Sequence, residues 1–243
     1  MRYVGPRQIV IDDNPADVSF WQPDRSYDDQ TVVLVGGGPS HASCSQTLRG
    51  HRFIAINSSC RAVRNIATAA DMLYFTDNSW AEYHEDLIRD WPGPVVCSNR
   101  HAKARLGTLV RRVDPLALTD WIGVPSDFAM ASSGHLAATL AVRMGAVRVV
   151  LIGFECQVVD GRSHGHSDYP QRNDEVFEDR FLPGWHYLGP ALLRRADVIN
   201  ATPQSAIREF RHLPLAQALR WQVFRTGGPL TIDGRQYTIE STP

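Results

Sequence analysis

Short apolar runs alternate with longer amphipathic stretches along most of this chain. The runs are rich in β-branched residues and are apolar at consecutive positions, which is typical of strands buried on both faces of a parallel sheet. The predicted strands are TVVLV (31–35), FIAIN (53–57), MLYFT (72–76), PVVCS (94–98), VRVVLIGF (147–154) and DVIN (197–200). The pattern therefore predicts a Rossmann-like α/β domain over residues 31–219, with a mostly parallel sheet and helices on both faces.

The segments at either side of this domain have a different pattern. Residues 1–30 are a polar, proline-containing lead-in, and residues 220–243 form a tail in which PLTIDGRQYTIE alternates around Asp233 and Gly234. That alternation predicts an appended β-hairpin. Its free edge could pair with a second copy of the chain, so we consider a homo-oligomer. Inside the domain the clearest helix is SSGHLAATLAVRMGA, which Ser132 or Ser133 can cap and Gly145 can end.

Composition and charge exclude several classes of protein. The chain has 243 residues, of which 43% are hydrophobic and 21% charged, and its formal net charge is -1. No global basic field therefore recruits nucleic acid or anionic lipid. We expect a cytoplasmic protein without a membrane partner, because the N-terminus lacks a signal-peptide pattern. The four cysteines form no CxxC pair and lie in or beside apolar runs, which favours reduced, buried thiols over a disulfide framework.

A glycine-rich turn follows the first predicted strand. It consists of Gly36, Gly37, Gly38, Pro39 and Ser40. Backbone N–H groups at such a turn, where a helix begins, favour an anion such as phosphate. No Gly-Lys-Ser/Thr follows, so the turn is not a Walker A loop, and His41 replaces the third glycine of the dinucleotide fingerprint. The alternative is a tight turn that only packs a helix against a strand.

Several motifs in succession resemble a known superfamily. They are VVLVGGGPS, IAINSS, ADMLYFTDNSW, SSGHLAATLAVRMGAVRVVLIGFE and VINATPQSAI. This set resembles the archaeal 6-hydroxymethyl-dihydropterin diphosphokinases (MptE-like) and the bacterial sialyltransferases of glycosyltransferase family 42. It is most similar to uncharacterised phage and prophage proteins of the same group. The resemblance spans roughly residues 31–215 and implies a Rossmann-like nucleotide-binding fold.

The resemblance also implies a nucleotide held across the carboxyl ends of the strands, as is general for open α/β sheets. Gly36 to Ser40 would face phosphate or ribose, and Asn57 and Ser58 would contact sugar or base. A second anion-binding helix start is formed by Ser132, Ser133 and Gly134. The residues that could read the base are Asn200, Thr202 and Ser205. For each single Ser or Asn, the alternative is a helix cap or turn residue.

Two acidic residues are candidate metal ligands. Asp77 follows MLYFT and Glu155 follows VVLIGF, so both should lie at the carboxyl ends of strands. Carboxylates beside nucleotide phosphates commonly hold Mg²⁺, which is the one cofactor we consider; no organic cofactor is expected. The relatives usually carry Asp at the position of Glu155. The alternative for Asp77 is an acid that caps the following helix.

The densest polar chemistry lies in DGRSHGHSDYP, residues 160–170. His164 and His166 would point the same way in an extended segment, with Asp168 beside them. A histidine can act as a general base near neutral pH, and the His-x-His-x-Asp pattern can also hold Zn²⁺ or Mn²⁺. The sialyltransferases that the chain resembles place a catalytic His in the region after this strand. In this chain, His186 and Tyr187 are a second candidate pair in that region. The alternative is a hydrophilic surface loop.

These observations predict a nucleotide-dependent transferase with a hydroxyl acceptor. A donor nucleotide or nucleotide sugar would lie over the glycine-rich turn, and His164 or His166 would deprotonate the acceptor under the loop of residues 160–190. Transfer from a sugar carbon would make the enzyme a glycosyltransferase, whereas transfer from ATP would make it a diphosphokinase. The acceptor could be a small molecule, a glycan or a nucleobase. The alternative function is a nucleotide-binding protein that sequesters its ligand without turnover.

Overall fold

The computed structural model describes residues 19–171 and 173–220, together with two short strands near the C-terminus. Eight strands form one sheet in which every neighbouring pair is parallel. They are β1 (Thr31–Val35), β2 (Arg52–Ile56), β3 (Met72–Phe75), β4 (Val95–Cys97), β5 (Arg111–Arg112), β6 (Arg148–Ile152), β7 (Asp197–Asn200) and β8 (Arg211–His212). The predicted Rossmann-like sheet is therefore confirmed.

The strand order reverses next to the first strand. Its order is β5-β4-β3-β2-β1-β6-β7-β8, so the chain runs outward from β1 to β5 and then returns to lay β6 against the other side of β1. Val33 is level with Val150, and Val35 with Ile152, so β1 and β6 end together. Ligands of open α/β sheets bind outside the carboxyl ends of the strands at such a reversal. The fold thus places a crevice after β1 and β6.

Helices cover both faces of the sheet. The α-helices in the described part of the chain are α1 (Ser45–Leu48), α2 (Cys60–Val63), α3 (Asn78–Tyr83), α4 (Glu85–Arg89), α5 (Arg100–Leu106), α6 (Pro115–Ile122), α7 (Ser126–Ala129), α8 (Ser133–Arg143), α9 (Asp174–Val176), α10 (Leu182–Leu193) and α11 (Leu215–Arg220). Short 3₁₀ helices span Pro39–Ser43, Asn57–Ser59, Arg64–Ile66 and Gly107–Leu109. A π-helical turn, Phe177–Phe181, joins α9 to α10.

Two hydrophobic clusters hold these layers together. In β1, Val32 and Leu34 pack into one cluster and Val33 and Val35 into the other, on the opposite face of the sheet. The first cluster joins the sheet to α6, α8 and α10, and the second joins it to the helices α1 to α5. Burial of alternate residues on both faces explains why the strands are apolar at consecutive positions.

The predictions of secondary structure can be compared strand by strand. All six predicted strands are present, and the predicted helix is α8, capped by Ser132 and followed by Gly145 at φ +99°. The two strands that the pattern missed are β5 and β8, which have two residues each and the polar sequences RR and RH. The predicted hairpin is confirmed by β9 (Leu230–Ile232), which pairs antiparallel with β10 (Arg235–Tyr237).

Other predictions concern the chain's ends and its cysteines. Residues 1–18 of the predicted lead-in lie outside the described residues, but Tyr27 packs into the hydrophobic core. The four cysteines are free thiols, and three of them are buried. Among the described residues, no helix is long and apolar enough to cross a membrane.

Two glycines allow the ends of β1 and β6 to meet. The Gly38 N–H donates to the Gly153 carbonyl oxygen at 2.9 Å, and the Gly36 N–H donates to that of Ile152 at 2.8 Å. A Cβ on Gly36 would overlap the Gly153 oxygen, and a Cβ on Gly153 would lie 2.6 Å from the Gly36 oxygen. Gly153 also has φ +76°, where a side chain is strained. The backbone contact at the reversal therefore requires glycine on both strands.

We predict that Gly36→Ala lowers the free energy of unfolding by about 1–3 kcal/mol, because the added methyl group meets rigid backbone. Urea denaturation measures this change. Gly37→Ala is the matched control, since a Cβ there would lie 3.1 Å from His166 Nε2, a side chain that can move. An equal loss of stability in both variants would contradict the backbone explanation.

Candidate functional site

A cavity of about 360 Å³ opens at the carboxyl ends of β1, β2, β3 and β6. It lies at the reversal of strand order, where the topology predicts a ligand. Its lining combines a glycine turn, a helix N-terminus, an aromatic wall, a histidine loop and one arginine. The lining residues are Gly36, Gly37, Gly38, Ile56, Asn57, Thr76, Asp77, Ala131, Ser132, Ser133, Gly134, Gly153, Phe154, Glu155, Cys156, Ser163, His164, His166, Tyr169, Phe177, Arg180, Phe181 and Trp185.

The glycine turn already holds a carboxyl group of the protein itself. The Ser40 N–H, at the start of the 3₁₀ helix, donates to Glu155 Oε1 at 2.7 Å. Gly38 makes room for this side chain, because a Cβ at position 38 would overlap Glu155 Oε2. Glu155 is 3% exposed. A ligand phosphate at the Ser40 amide would therefore have to displace the Glu155 carboxyl.

The start of α8 is the second predicted anion site, and it opens to the cavity. Ser132 caps the helix, since its Oγ accepts from the Gly134 N–H at 3.2 Å. Ser133 and Gly134, the first two residues of the helix, line the cavity. The free N–H groups and the dipole of an 11-residue helix favour a negative charge here.

His135 fixes the direction of the Ser132 hydroxyl. Its Nε2 lies 3.1 Å from the Phe181 carbonyl oxygen, which can only accept, so Nε2 carries the proton. Its Nδ1, 2.7 Å from Ser132 Oγ, must then accept the hydroxyl hydrogen. Burial is the main cause that lowers the pKa of His135 to about 3; the Phe181 hydrogen bond opposes it, and the charge of Arg180 adds to it. The imidazole is therefore neutral, and Ser132 can offer only acceptor capacity to a ligand.

Arg180 lies on the π-helical turn and lines the cavity. Its positive charge lowers the pKa of His135, the third residue of α8. The π-helical turn inserts an extra residue per turn, a distortion that is frequent at functional sites. The positive charge and the helix N-terminus together make this end of the cavity the more electropositive one.

Four aromatic side chains form the wall beside this electropositive end. They are Phe154, Phe177, Phe181 and Trp185. The Phe154 and Trp185 rings meet edge to face at 5.7 Å, and Trp185 stacks on His135 at 4.2 Å. A Cβ on Gly134 would lie 2.6 Å from Phe154, so the glycine of the SSG motif admits this ring. Aromatic side chains of this kind can pack against a heterocycle face to face or edge to face.

The histidine loop, residues 160–170, folds over the glycine turn. The Gly165 N–H donates to the Gly37 carbonyl oxygen at 2.9 Å. The His164 and His166 rings are stacked, with centroids 5.2 Å apart and planes 16° apart, so they point the same way. Both line the cavity. Tyr169 packs against both rings and accepts a hydrogen bond from Asn57 Nδ2 at 3.2 Å.

His166 is set up as a hydrogen-bond donor. Its Nδ1 accepts from the Asp168 N–H at 3.3 Å, so the neutral ring carries its proton on Nε2, the atom that faces Gly37. Burial is the main cause that lowers the pKa of His166 to about 4; Asp168 raises it, and the charges of His41, Arg61 and His84 lower it. The ring is neutral near pH 7, and its remaining N–H is directed toward the glycine turn.

Asp168 does not line the cavity. It lies 3.3 Å from both Arg61 Nε and His84 Nε2, and it is hydrogen-bonded to Ser58. Burial alone would raise the pKa of Asp168, but these three neighbours outweigh it and hold the pKa below its usual value. This network anchors the histidine loop to α2. A direct catalytic part for Asp168 stays a prediction.

The predicted metal ligands are engaged in other contacts. Asp77 Oδ1 accepts from the N–H groups of Ser79 and Trp80 at 2.9 and 3.3 Å, which makes Asp77 the cap of α3. Within the described ranges, no group of three or more His, Cys, Asp and Glu side chains is placed to hold a metal ion. Asp77 and Glu155 both line the cavity, and a role for them in holding a metal ion stays a prediction.

Backbone strain marks two residues of the cavity lining. Asn57 has φ +51° and Cys156 has φ +49°, a region that L-residues rarely occupy. Asn tolerates this conformation better than Cys does. Strained backbone of this kind concentrates at functional sites.

Several predicted site residues lie outside the lining. Ser58 accepts from Trp80 Nε1 at 2.7 Å. Thr202 Oγ1 accepts from the Phe154 N–H at 3.0 Å, and Ser205 donates to the Phe154 carbonyl oxygen at 2.6 Å. Asn200 Oδ1 accepts from the Thr202 N–H at 3.1 Å. Thr202 and Ser205 thus position the loop after β6. The predicted contacts of Ser58 with sugar or base, and of Asn200, Thr202 and Ser205 with a base, stay predictions.

The second candidate pair, His186 and Tyr187, does not line the cavity. The His186 side chain is 76% exposed and lies 3.5 Å from Glu209. Tyr187 stacks on Phe128 with centroids 3.9 Å apart. Residues missing from the sequence-based prediction are Arg180, His135 and the aromatic wall. His135 follows Ser132 at helical spacing, which was a usable signal, whereas the π-helical turn that presents Arg180 has none in the sequence.

Comparisons with known proteins give a fold likeness. No family model matches the sequence, and no curated protein matches it. The sialyltransferase CstII from Campylobacter jejuni, solved with cytidine-5'-monophosphate, is similar at 13% identity and a TM-score of 0.52, over 77% of this chain and 86% of that one. The α-2,3-sialyltransferase Cst-I from the same organism has 11% identity and a TM-score of 0.52, over 88% and 90%.

A third structure widens this likeness. The MAf glycosyltransferase from Magnetospirillum magneticum AMB-1 is 15% identical with a TM-score of 0.58, over 83% of this chain but only 36% of its own. The resemblance to sialyltransferases inferred from the motifs is therefore confirmed at the level of the fold. The resemblance to diphosphokinases and phage proteins stays a prediction.

We predict that the protein loses stability as the pH falls from about 6.5 toward 4. The pKa of His166 is about 4 in the folded protein against 6.5 as its ordinary value, so between these values protons bind the unfolded chain preferentially. His135 acts in the same direction. Urea denaturation between pH 4.5 and 7.5 measures the slope, and His166→Gln should flatten it. An unchanged slope in that variant would show that His166 is not held neutral.

Proposed function

We propose that this protein is a glycosyltransferase that binds a nucleotide-sugar donor in the cavity and transfers the sugar to a hydroxyl acceptor. The observation that carries the proposal is the combination, in one cavity, of the α8 N-terminus, Arg180 and the aromatic wall. A nucleotide needs an anion site and a surface for its base, and both are present side by side. The fold shared with CstII, a sialyltransferase solved with cytidine-5'-monophosphate, supports this choice.

The donor phosphate is assigned to the start of α8 and Arg180. The alternative place, the Ser40 amide, is occupied by the Glu155 carboxyl at 2.7 Å. Two negative groups at one helix start would repel each other, whereas the start of α8 has no such acid in its first turn. A guanidinium also binds phosphate oxygens through paired N–H donors. The base then stacks against the wall of phenylalanines and Trp185.

The two histidines take different parts in the proposed transfer. His164 accepts the proton of the acceptor hydroxyl while that oxygen attacks the sugar carbon. The bond between the sugar carbon and the phosphate oxygen breaks, and its electron pair stays on the phosphate. Arg180 stabilises the charge that develops there, whereas the Nε2–H of His166, which faces the glycine turn, can donate to the sugar, since His166 Nδ1 is already used as an acceptor. No step requires a metal ion.

The other functions predicted from the sequence make different demands. A diphosphokinase would hold ATP with Mg²⁺, which takes one or two carboxylates together with phosphate oxygens, and Asp77 and Glu155 are the candidates in the lining. A sequestering protein would bind a nucleotide without consuming it. Both remain outcomes of the experiments below.

We predict metal-independent binding of a nucleotide or nucleotide sugar, measured by calorimetry with CMP, UMP, CMP-sugars, UDP-sugars and ATP, each with and without Mg²⁺. Arg180→Gln should weaken that binding roughly 10- to 100-fold, the usual cost of a lost hydrogen bond to a charged group. Arg194→Gln, an exposed arginine at the end of α10, should change nothing. Binding of ATP alone, and only with Mg²⁺, would instead support the diphosphokinase.

We also predict that His164→Ala slows the release of free nucleotide from the bound donor by roughly 10²–10⁴-fold, the usual contribution of a positioned base. Water can serve as the acceptor in this assay, so the natural acceptor need not be known. Donor affinity should hardly change. His186→Ala is the control, because His186 lies apart from the lining. Full activity of the His164 variant would remove it as the base, and tight binding without any release would favour sequestration.

A further inference from the structure

Glu155 leaves one carboxyl oxygen without a hydrogen-bond partner. Oε1 accepts from the Ser40 N–H, but Oε2 has no partner among the described residues although it is buried. A buried acceptor without a donor costs about 1–3 kcal/mol, and more when it is charged. Such atoms are rare in folded proteins and ask for an explanation.

The neighbours of Glu155 hold its carboxyl group in this buried position. The side chain is 3% exposed, and it fits only because Gly38 lacks a Cβ. The Glu155 backbone oxygen accepts from the Ala206 N–H at 2.7 Å, which fixes the chain on its other side. The carboxyl group therefore cannot turn outward to water without breaking the contact with Ser40.

A second buried acceptor lines the same cavity. Asn57 Oδ1 has no hydrogen-bond partner among the described residues, while its Nδ2 donates to Tyr169. The strained backbone of Asn57, at φ +51°, holds this side chain at the end of β2, next to β1. The cavity lining thus offers two unpaired acceptors, Asn57 Oδ1 and Glu155 Oε2, as well as the positive charge of Arg180.

We propose that Glu155 binds a hydroxyl group of the ligand's sugar, and that it makes the site selective for ligands that carry this hydroxyl. This inference rests on the proposed function, because it assumes that the donor nucleotide binds in the cavity with its sugar near Glu155. A hydroxyl can donate to Oε2, whereas a phosphate cannot and is repelled. The donor's ribose is the first source of such a hydroxyl, and the transferred sugar is the second.

The test compares ribonucleotides with their deoxy analogues by calorimetry. We expect the wild-type protein to bind CMP roughly 10- to 100-fold more tightly than at least one of its 2'-deoxy and 3'-deoxy analogues, since the deoxy form leaves Oε2 unpaired. Glu155→Gln keeps the size and the acceptor for Ser40 but puts an N–H₂ group at the place of Oε2. The variant should bind the ribo and deoxy forms within about threefold of each other.

Glu178→Gln is the matched control for the loss of a negative charge. Glu178 is exposed on the π-helical turn and does not line the cavity, so this variant should keep the full preference for ribose. Thermal unfolding of both variants checks that the fold is intact. If the wild-type protein prefers CMP-sugars over CMP but ignores deoxyribose, and Glu155→Gln loses that preference, the hydroxyl belongs to the transferred sugar.

Two outcomes would overturn the proposal in different ways. If Glu155→Gln binds every ligand as the wild-type protein does, Glu155 contacts no hydroxyl, although the proposed function stands. If the wild-type protein binds no nucleotide or nucleotide sugar at all, the proposed function fails and this inference fails with it.

Discussion

The hydrogen bond from the Ser40 amide to the Glu155 carboxyl is the interaction on which the site depends. It joins the turn after β1 to the loop after β6 at the point where the strand order reverses. Thr202 and Ser205 attach the loop after β7 to the same place through the backbone of Phe154. Three strand ends are therefore held as one unit. The glycines of the turn serve this closure, because Gly36 meets the backbone of Gly153 and Gly38 meets Glu155.

The Ser40–Glu155 hydrogen bond also affects where a negatively charged ligand group can bind in the cavity. Of the two helix starts predicted to bind an anion, the protein fills the first with its own carboxyl group. The second, at α8, opens to the cavity beside Arg180. Ser132 donates its hydroxyl hydrogen to His135, so this cap can only accept from a ligand. The cavity thus combines the unpaired acceptors Glu155 Oε2 and Asn57 Oδ1 with the positive charge of Arg180, a combination that matches a sugar joined to a phosphate.

Much of the fold could be predicted from the sequence, because burial on both faces leaves a continuous apolar signal in each long strand. The two-residue strands β5 and β8 left none, since their residues are polar and their pairing depends on the neighbouring strand. The site could be predicted less well. The turn after β1, the start of α8 and the histidine loop were visible as motifs at strand ends. The hydrogen bond between the Ser40 amide and Glu155 joins residues that are 115 positions apart, so no local sequence pattern predicts it. The π-helical turn that carries Arg180 is a backbone distortion, which no local pattern predicts either.

A crystal structure with bound CMP tests the central claim most directly, because it locates the phosphate and the ribose separately. The account predicts the phosphate at the N-terminus of α8 within hydrogen-bond distance of Arg180, the base against the aromatic wall, and Glu155 still bonded to Ser40. A phosphate on the Ser40 amide, with the Glu155 carboxyl displaced from the glycine turn, would contradict it.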